Sequence, residues 1–71
     1  MSRRFELHRD IDHSGVSGLG VVAEGVQFTD GVCVLRWKGE HASTVVWAGV
    51  AGVVAVHGHN GATRVVFIDP E

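Results

Sequence analysis

Residues 28–38 read FTDGVCVLRWK, and this stretch decides the fold class. It opens on an apolar residue, Phe28, and continues into Asp30-Gly31, a dipeptide that is typical of tight turns between antiparallel strands. Beyond the turn, apolar residues recur at every second position, which is the period of a half-buried β-strand. These alternating residues are Cys33, Leu35 and Trp37. The stretch therefore predicts a tight turn at 30–31 that leads into a strand at 32–38.

The same pattern of short apolar runs and turn residues extends from this stretch in both directions. Valine dominates the runs and ten glycines interrupt the chain, and both residue types are poor helix formers. The alternation in the run before the turn changes phase near Gly25, which favours a β-bulge or a bend there. Residues 10–18 are predicted to form a loop, and 48–52 a single helical or 3₁₀ turn. The predicted strands cover residues 4–8, 19–28, 32–38, 43–47, 53–57 and 63–69.

The last two predicted strands form a hairpin around Asn60-Gly61, a dipeptide that favours a two-residue type I′ turn. Pairing about this turn places His57 opposite Arg64 and gives the hairpin two apolar faces. One face is the expected core and consists of Val54, Val56, Val65 and Phe67. The other face carries Val53, Ala55, Val66 and Ile68. A single small barrel has only one interior, so the second face is expected to lie on the outside.

The chain length limits what this fold can bury. With 71 residues the chain is expected to form one domain over 1–71. A domain of this size buries only about 60% of the surface that its unfolded chain exposes. The single cysteine, Cys33, excludes an intrachain disulfide as reinforcement. The predicted fold class is all-β, as a small SH3-like barrel or a rolled antiparallel sheet of five or six short strands.

Composition argues against two classes of partner, nucleic acids and membranes. Six Lys and Arg stand against eight Asp and Glu, a net charge of −2, and the basic residues are scattered. Nucleic-acid binding depends on neutralising phosphates, so it is not expected. The longest apolar stretch, 45–56, is too short to span a bilayer and is interrupted by Gly49 and Gly52. The first residues show no apolar segment of a secretory signal, so a cytoplasmic protein is expected.

His57 and His59 form a His-X-His pair, which alternating positions on a strand would present to one metal ion. Zinc needs three or four ligands, and the predicted neighbour of His57, Arg64, would repel a cation. A third ligand would have to come from His8, His13, His41 or an acidic residue. The pattern favours a solvated hairpin end and no cofactor, with a small metal-binding protein as the alternative.

The sequence specifies no catalytic set. Cys33 alternates with apolar residues, so it is expected to be a small buried hydrophobe and not a nucleophile. A Gly-X-Ser-X-Gly nucleophile elbow does not occur. The glycine-rich segment 14–20 lacks the Lys-Ser/Thr pair of a phosphate-binding loop. The protein is therefore expected not to be an enzyme.

Three segments carry a family resemblance: residues 5–10 (FELHRD), 14–18 (SGVSG) and 57–63 (HGHNGAT). Together with a central tryptophan strand, they resemble a group of short uncharacterised proteins from actinobacteria and their phages. The resemblance spans nearly the whole chain. It implies a phage or prophage accessory protein, and it transfers neither an activity nor catalytic residues.

These observations predict a non-enzymatic protein-interaction module that binds a host protein, a phage protein or itself. A contiguous apolar cluster on a surface often marks an interface, and the two-fold dimer is the commonest closed assembly. The chain is therefore expected to form a homodimer. The predicted interface consists of Val53, Ala55, Val66 and Ile68, with Trp47. Two alternatives are that a different protein occupies this face, or that residues 1–20 fold over it and leave a monomer.

Overall fold

The computed structural model describes residues 1–10, 20–58 and 61–70. These residues form five strands and one helix. The predicted loop at 10–18 lies, beyond Asp10, outside the described residues, as do His13, His59 and Asn60. In chain order the elements are β1 (Arg3–Arg9), β2 (Gly20–Gln27), β3 (Cys33–Trp37), β4 (Thr44–Trp47), α1 (Val50–His57) and β5 (Thr63–Phe67).

The five strands form one antiparallel sheet in the order β4-β3-β2-β1-β5. The predicted rolled antiparallel sheet of five strands is therefore confirmed. It does not close into a barrel, because β4 and β5 lie at opposite edges and do not pair with each other. Helix α1 contacts both of these edge strands, so it lies across the roll from one edge to the other.

The hairpin between β2 and β3 confirms the turn predicted at Asp30-Gly31. Gly31 has a φ of +97°, and its N–H donates to the carbonyl of Phe28 at 2.9 Å. The N–H of Phe28 in turn donates to the carbonyl of Val32 at 2.8 Å. The carboxylate of Asp30 accepts from the N–H of Val32 at 3.1 Å. A glycine in the left-handed region after a short turn is a common solution for hairpins of this length.

A β-bulge does occur in β2, but not at Gly25. Leu7 pairs with Ala23 and His8 pairs with Val21, so Val22 is the additional residue. Val22 and Ala23 are both buried, because the bulge lets two consecutive side chains turn towards the core. At Gly25 the pairing with Phe5 is regular, and the prediction of a bulge there was wrong.

The core lies between the inner face of the sheet, which is the face that α1 covers, and the helix itself. The alternation predicted for β1 and β3 is confirmed, since Phe5, Leu7, Cys33 and Leu35 are buried together. Val53 of α1 completes this cluster. Burying a large aliphatic or aromatic side chain contributes about 1.5–3 kcal/mol, so these few residues supply much of the stability.

The predicted strand at 53–57 was wrong, because these residues belong to α1. Helical spacing places Val50 and Val53 against the sheet, whereas a strand would have alternated them with their neighbours. Gly52 lets the helix approach closely, since a β-carbon there would lie 3.2 Å from Cε3 of Trp47. Valine costs only a few tenths of a kcal/mol in a helix, and burying Val53 outweighs this. Val54 and Val56, expected in the core, are exposed instead.

The connection from α1 to β5 differs from the predicted two-residue hairpin turn. Gly61 and Thr63 both donate their N–H to the carbonyl of Gly58, each at 3.0 Å. Gly61 has a φ of +92°, which confirms the positive φ expected at this position. In the part of the chain that the structure describes, no helix is long and apolar enough to cross a membrane.

Candidate functional site

The five residues of the predicted interface do not share one face. Val53 is buried in the core, and Trp47 packs against that core beneath α1. Ala55 is exposed on the helix, whereas Val66 lies opposite Glu6 on the outer face of the sheet, the face away from α1. Ile68 follows on the outer side and is 50% exposed. The predicted face depended on a strand at 53–57, so the helix separates its members.

His57 packs its ring between the two tryptophans at the end of α1. Its ring centroid lies 4.8 Å from that of Trp37 and 5.6 Å from that of Trp47, both in edge-to-face orientations. Such aromatic contacts contribute about 0.5–1.5 kcal/mol beyond the buried area. His57 therefore ties the helix to β3 and β4.

The strand geometry behind the predicted metal pair is not present at His57, because His57 is helical. Arg64, predicted to lie opposite His57, lies opposite His8 and forms an ion pair with Asp10 at 3.3 Å. Among the described residues, no three His, Cys, Asp or Glu side chains are close enough to hold a metal ion.

Trp47 carries a buried polar atom that has no partner among the described residues. Its indole Nε1 is inaccessible to solvent, and none of the described residues accepts a hydrogen bond from it. A buried unsatisfied donor costs about 1–3 kcal/mol, so the position of Trp47 is a compromise between packing and hydrogen bonding.

Cys33 is buried, and burial raises the pKa of its thiol. The thiolate is the nucleophilic form, so this environment disfavours reactivity. The expectation that Cys33 is a small buried hydrophobe is confirmed.

Sequence reasoning missed a buried polar pair on the inner face, Arg9 and Thr63. Arg9 is only 5% exposed, and its Nε donates to Oγ1 of Thr63 at 2.9 Å. The two residues are cross-strand partners in β1 and β5. The alternation of Phe5, Leu7 and Arg9 could have revealed that Arg9 points inwards, since all three share one phase of β1.

A shallow groove of about 340 Å³ lies on the outer face. Its apolar floor includes Val26, Val34 and Ile68, and charged side chains lie beside it. One of these is Arg4, whose Nη2 forms an ion pair with Oδ1 of Asp69 at 2.8 Å. The hydrogen bonds from Arg4 lower the pKa of Asp69 to about 2. The groove is thus bordered by an ion pair that stays formed at neutral pH.

The residues between His41 and His57 carry no charge, and together they form β4, the connection to α1 and all of α1 except His57. We call this stretch, 42–56, the uncharged segment. It exposes 68% of Val46, 47% of Val54 and 56% of Val56. Val46 lies on the outer face of the sheet, opposite Val34, whereas Val54 and Val56 lie on α1, so the uncharged segment exposes apolar side chains on both sides of the sheet.

Comparison with known families decides the affiliation. The Acb5 phage protein family matches residues 2–69, which include all five strands and α1. The chain belongs to the Acb5 phage protein family. The phage association implied by the sequence resemblance is therefore confirmed. No curated protein and no solved structure matches the chain.

Proposed function

We propose that this Acb5 phage protein is a non-enzymatic, cytoplasmic protein-interaction module that binds itself, a host protein or another phage protein. The observation that carries the proposal is the solvent-facing side of α1, where an uncharged helix exposes about half of Val54 and more than half of Val56. The resemblance through residues 5–10 supports a phage of actinobacteria as the source.

The composition of α1 explains why its exposed side suggests a contact. Surface helices usually have one apolar side and one polar side, whereas a helix that is apolar all round is usually buried. α1 buries Val53 against the sheet, yet Ala51, Val54 and Ala55 face solvent with the spacing of a single helix stripe. This second apolar side supports contact with another protein.

Self-association is the simplest form of this contact. The chain has a small core, and a two-fold homodimer is the commonest closed assembly. Of the residues that the sequence predicted for the interface, Ala55 remains in it because it is exposed on α1. Val66 and Ile68 do not, because they lie on the opposite face of the sheet.

The experiment compares two charge substitutions at similarly exposed positions, Val54→Asp on α1 and Ile68→Asp on the outer face. Sedimentation measures self-association from micromolar to millimolar concentration, and affinity capture from an infected lysate measures other partners. We expect Val54→Asp to lose the bound species while Ile68→Asp retains them. Circular dichroism checks that both variants fold. The proposal fails if folded Val54→Asp behaves as the wild type in both measurements.

A further inference from the structure

The edge strand β4 has hydrogen-bonding groups that point away from the sheet. Among residues 1–10, 20–58 and 61–70, β4 pairs only with β3, and the N–H of Trp37 donates to the carbonyl of Ser43 at 2.9 Å. Antiparallel pairs alternate between hydrogen-bonded and non-hydrogen-bonded positions, so Val45 and Trp47 also bond to β3. The backbone groups of Thr44 and Val46 therefore face outwards, where they can meet a further strand.

Apart from its length of four residues, this edge lacks the features that usually prevent strand addition. Natural edge strands carry charged residues, proline or a bulge, or are covered by another element. Between Thr44 and Trp47 there is neither a charge nor a proline, and Val46 is 68% exposed. The opposite edge, β5, carries Arg64 in an ion pair with Asp10. β4 is thus the less protected of the two edges.

We propose that β4 pairs antiparallel with β4 of a second copy, with Val45 opposite Val45 on a two-fold axis. The proposal rests on the proposed function and specifies the partner for the uncharged segment. It joins the two five-stranded sheets into one continuous sheet, with both α1 helices on the same face.

The register follows from the faces of the strand and from its outward groups. Residues opposite each other must share a face, so an inner residue pairs with an inner residue. Centring the axis on Val45 places Thr44 opposite Val46 of the second copy, and the same pair recurs across the axis. The outward backbone groups of Thr44 and Val46 then both form hydrogen bonds with β4 of the second copy. Centring on Val46 instead would leave Thr44 opposite Ala48, beyond the end of β4.

A second copy fits this edge because the uncharged segment can pair with itself without electrostatic repulsion. The chain carries a net charge of −2, but the uncharged segment brings no like charges together at the axis. A standard interface buries about 800 Å² on each partner, and the whole chain exposes 4523 Å². A four-residue edge with the flanking helix side supplies less than a standard interface, so the dimer is expected to be weak and concentration-dependent.

The test is disulfide cross-linking of full-length Val45→Cys and Val46→Cys. In the proposed register the Val45 Cα atoms lie about 4.5 Å apart, within the range of a disulfide. The Val46 Cα atoms would lie beyond about 7 Å, too far for a disulfide without movement. Wild type is the background control, since its only cysteine, Cys33, is buried. We expect Val45→Cys to form covalent dimers at least about tenfold faster than Val46→Cys.

A second variant tests the pairing without a new thiol. Thr44→Pro removes an outward N–H and leaves the backbone hydrogen bonds between β4 and β3 in place, although it also removes the bond that Arg36 Nη1 donates to Oγ1 of Thr44. Thr44→Val removes only that side-chain bond and is the matched control. We expect folded Thr44→Pro to sediment as a monomer at concentrations where Ile68→Asp still dimerises.

The outcomes separate this proposal from the proposed function. Two results would overturn the Val45 pairing. One is a wild-type protein that stays monomeric, and the other is covalent dimers that form with Val46→Cys but not with Val45→Cys. Either result can occur while Val54→Asp still loses a bound partner, in which case the interaction module stands and its partner is not β4 of a second copy.

Discussion

The phenyl ring of Phe5 occupies the space that a side chain at Gly25 would need. A β-carbon at Gly25 would lie 2.5 Å from Cζ of Phe5 and 2.6 Å from the carbonyl oxygen of Val34. The two residues are cross-strand partners in β1 and β2. Phe5 is fully buried and also contacts Phe67, with ring centroids 5.8 Å apart. Glycine is thus required here by packing and not by backbone conformation.

Gly25→Ala is expected to destabilise the fold by about 1–3 kcal/mol, because overpacked cores lose stability on this scale. Moving the Phe5 ring cannot relieve the contact with the backbone of Val34. Urea unfolding gives the free energy. The matched control is Gly49→Ala, where the φ is −174° and the nearest atom lies 3.9 Å away. Equal losses in the two variants would contradict this account of Gly25.

Asp69→Asn is expected to make the stability of the fold depend less on pH in the acidic range. Arg4 lowers the pKa of Asp69 from 3.8 to about 2 in the folded protein. A depressed carboxyl pKa contributes stability that is complete above the unfolded pKa of 3.8, and this contribution is lost as the pH falls to about 2. Thermal unfolding as a function of pH measures the effect. Arg4→Gln should reduce the change in melting temperature over the same pH range. If both variants show the pH profile of the wild type, this ion pair is not the cause.

Trp47→Phe is expected to change stability by less than about 1 kcal/mol, because it removes a buried donor that costs about 1–3 kcal/mol. Trp37→Phe offers no such compensation and weakens the contact with His57, so we expect a loss of about 1–3 kcal/mol. Urea unfolding of the two variants gives the comparison. The interpretation of Trp47 fails if its substitution costs more than that of Trp37.

Gly61→Val is expected to cost about 1–3 kcal/mol, because a β-branched residue resists a φ of +92°. Apart from the chain neighbours of Gly61, no atom of the described residues lies within 4 Å of a β-carbon built there, so the cost is conformational and not steric crowding. Gly61→Asn should cost less, since asparagine tolerates the left-handed region. Melting temperatures rank the three proteins, and equal values for Val and Asn would contradict the role of φ.

The parts of the fold that sequence predicted are those that local chemistry determines. Asp30-Gly31 fixes its turn through its own backbone and side chain, and the alternation in β1 and β3 directly reflects a half-buried strand. Helix α1 could not be predicted in this way. Its valines favour a strand on propensity, and the helix forms because Val53 fits the inner face and Gly52 fits against Trp47.

The candidate site was predictable only in part for the same reason. The expectation of an apolar surface near the end of the chain depended on the inferred hairpin, which has two apolar faces although a single small barrel has only one interior. Which residues form that surface depends on whether 53–57 is a strand or a helix. The strand prediction therefore placed Val53 on the surface although it is buried in the core, and placed Val54 and Val56 in the core although both are exposed.

The position of β1 between β2 and β5 has a consequence for how the chain folds. The contacts of β1 with β5 and with the residues that follow it join positions 54 apart at Arg9 and Thr63, and 65 apart at Arg4 and Asp69. Sheets with such distant pairings have high contact order and fold in about milliseconds to seconds. During synthesis, β1 has only one neighbour until residues 63–67 leave the ribosome. Until then Phe5 and Leu7 lack their cross-strand neighbours Phe67 and Val65, so part of the core cannot be completed before the end of the chain is made.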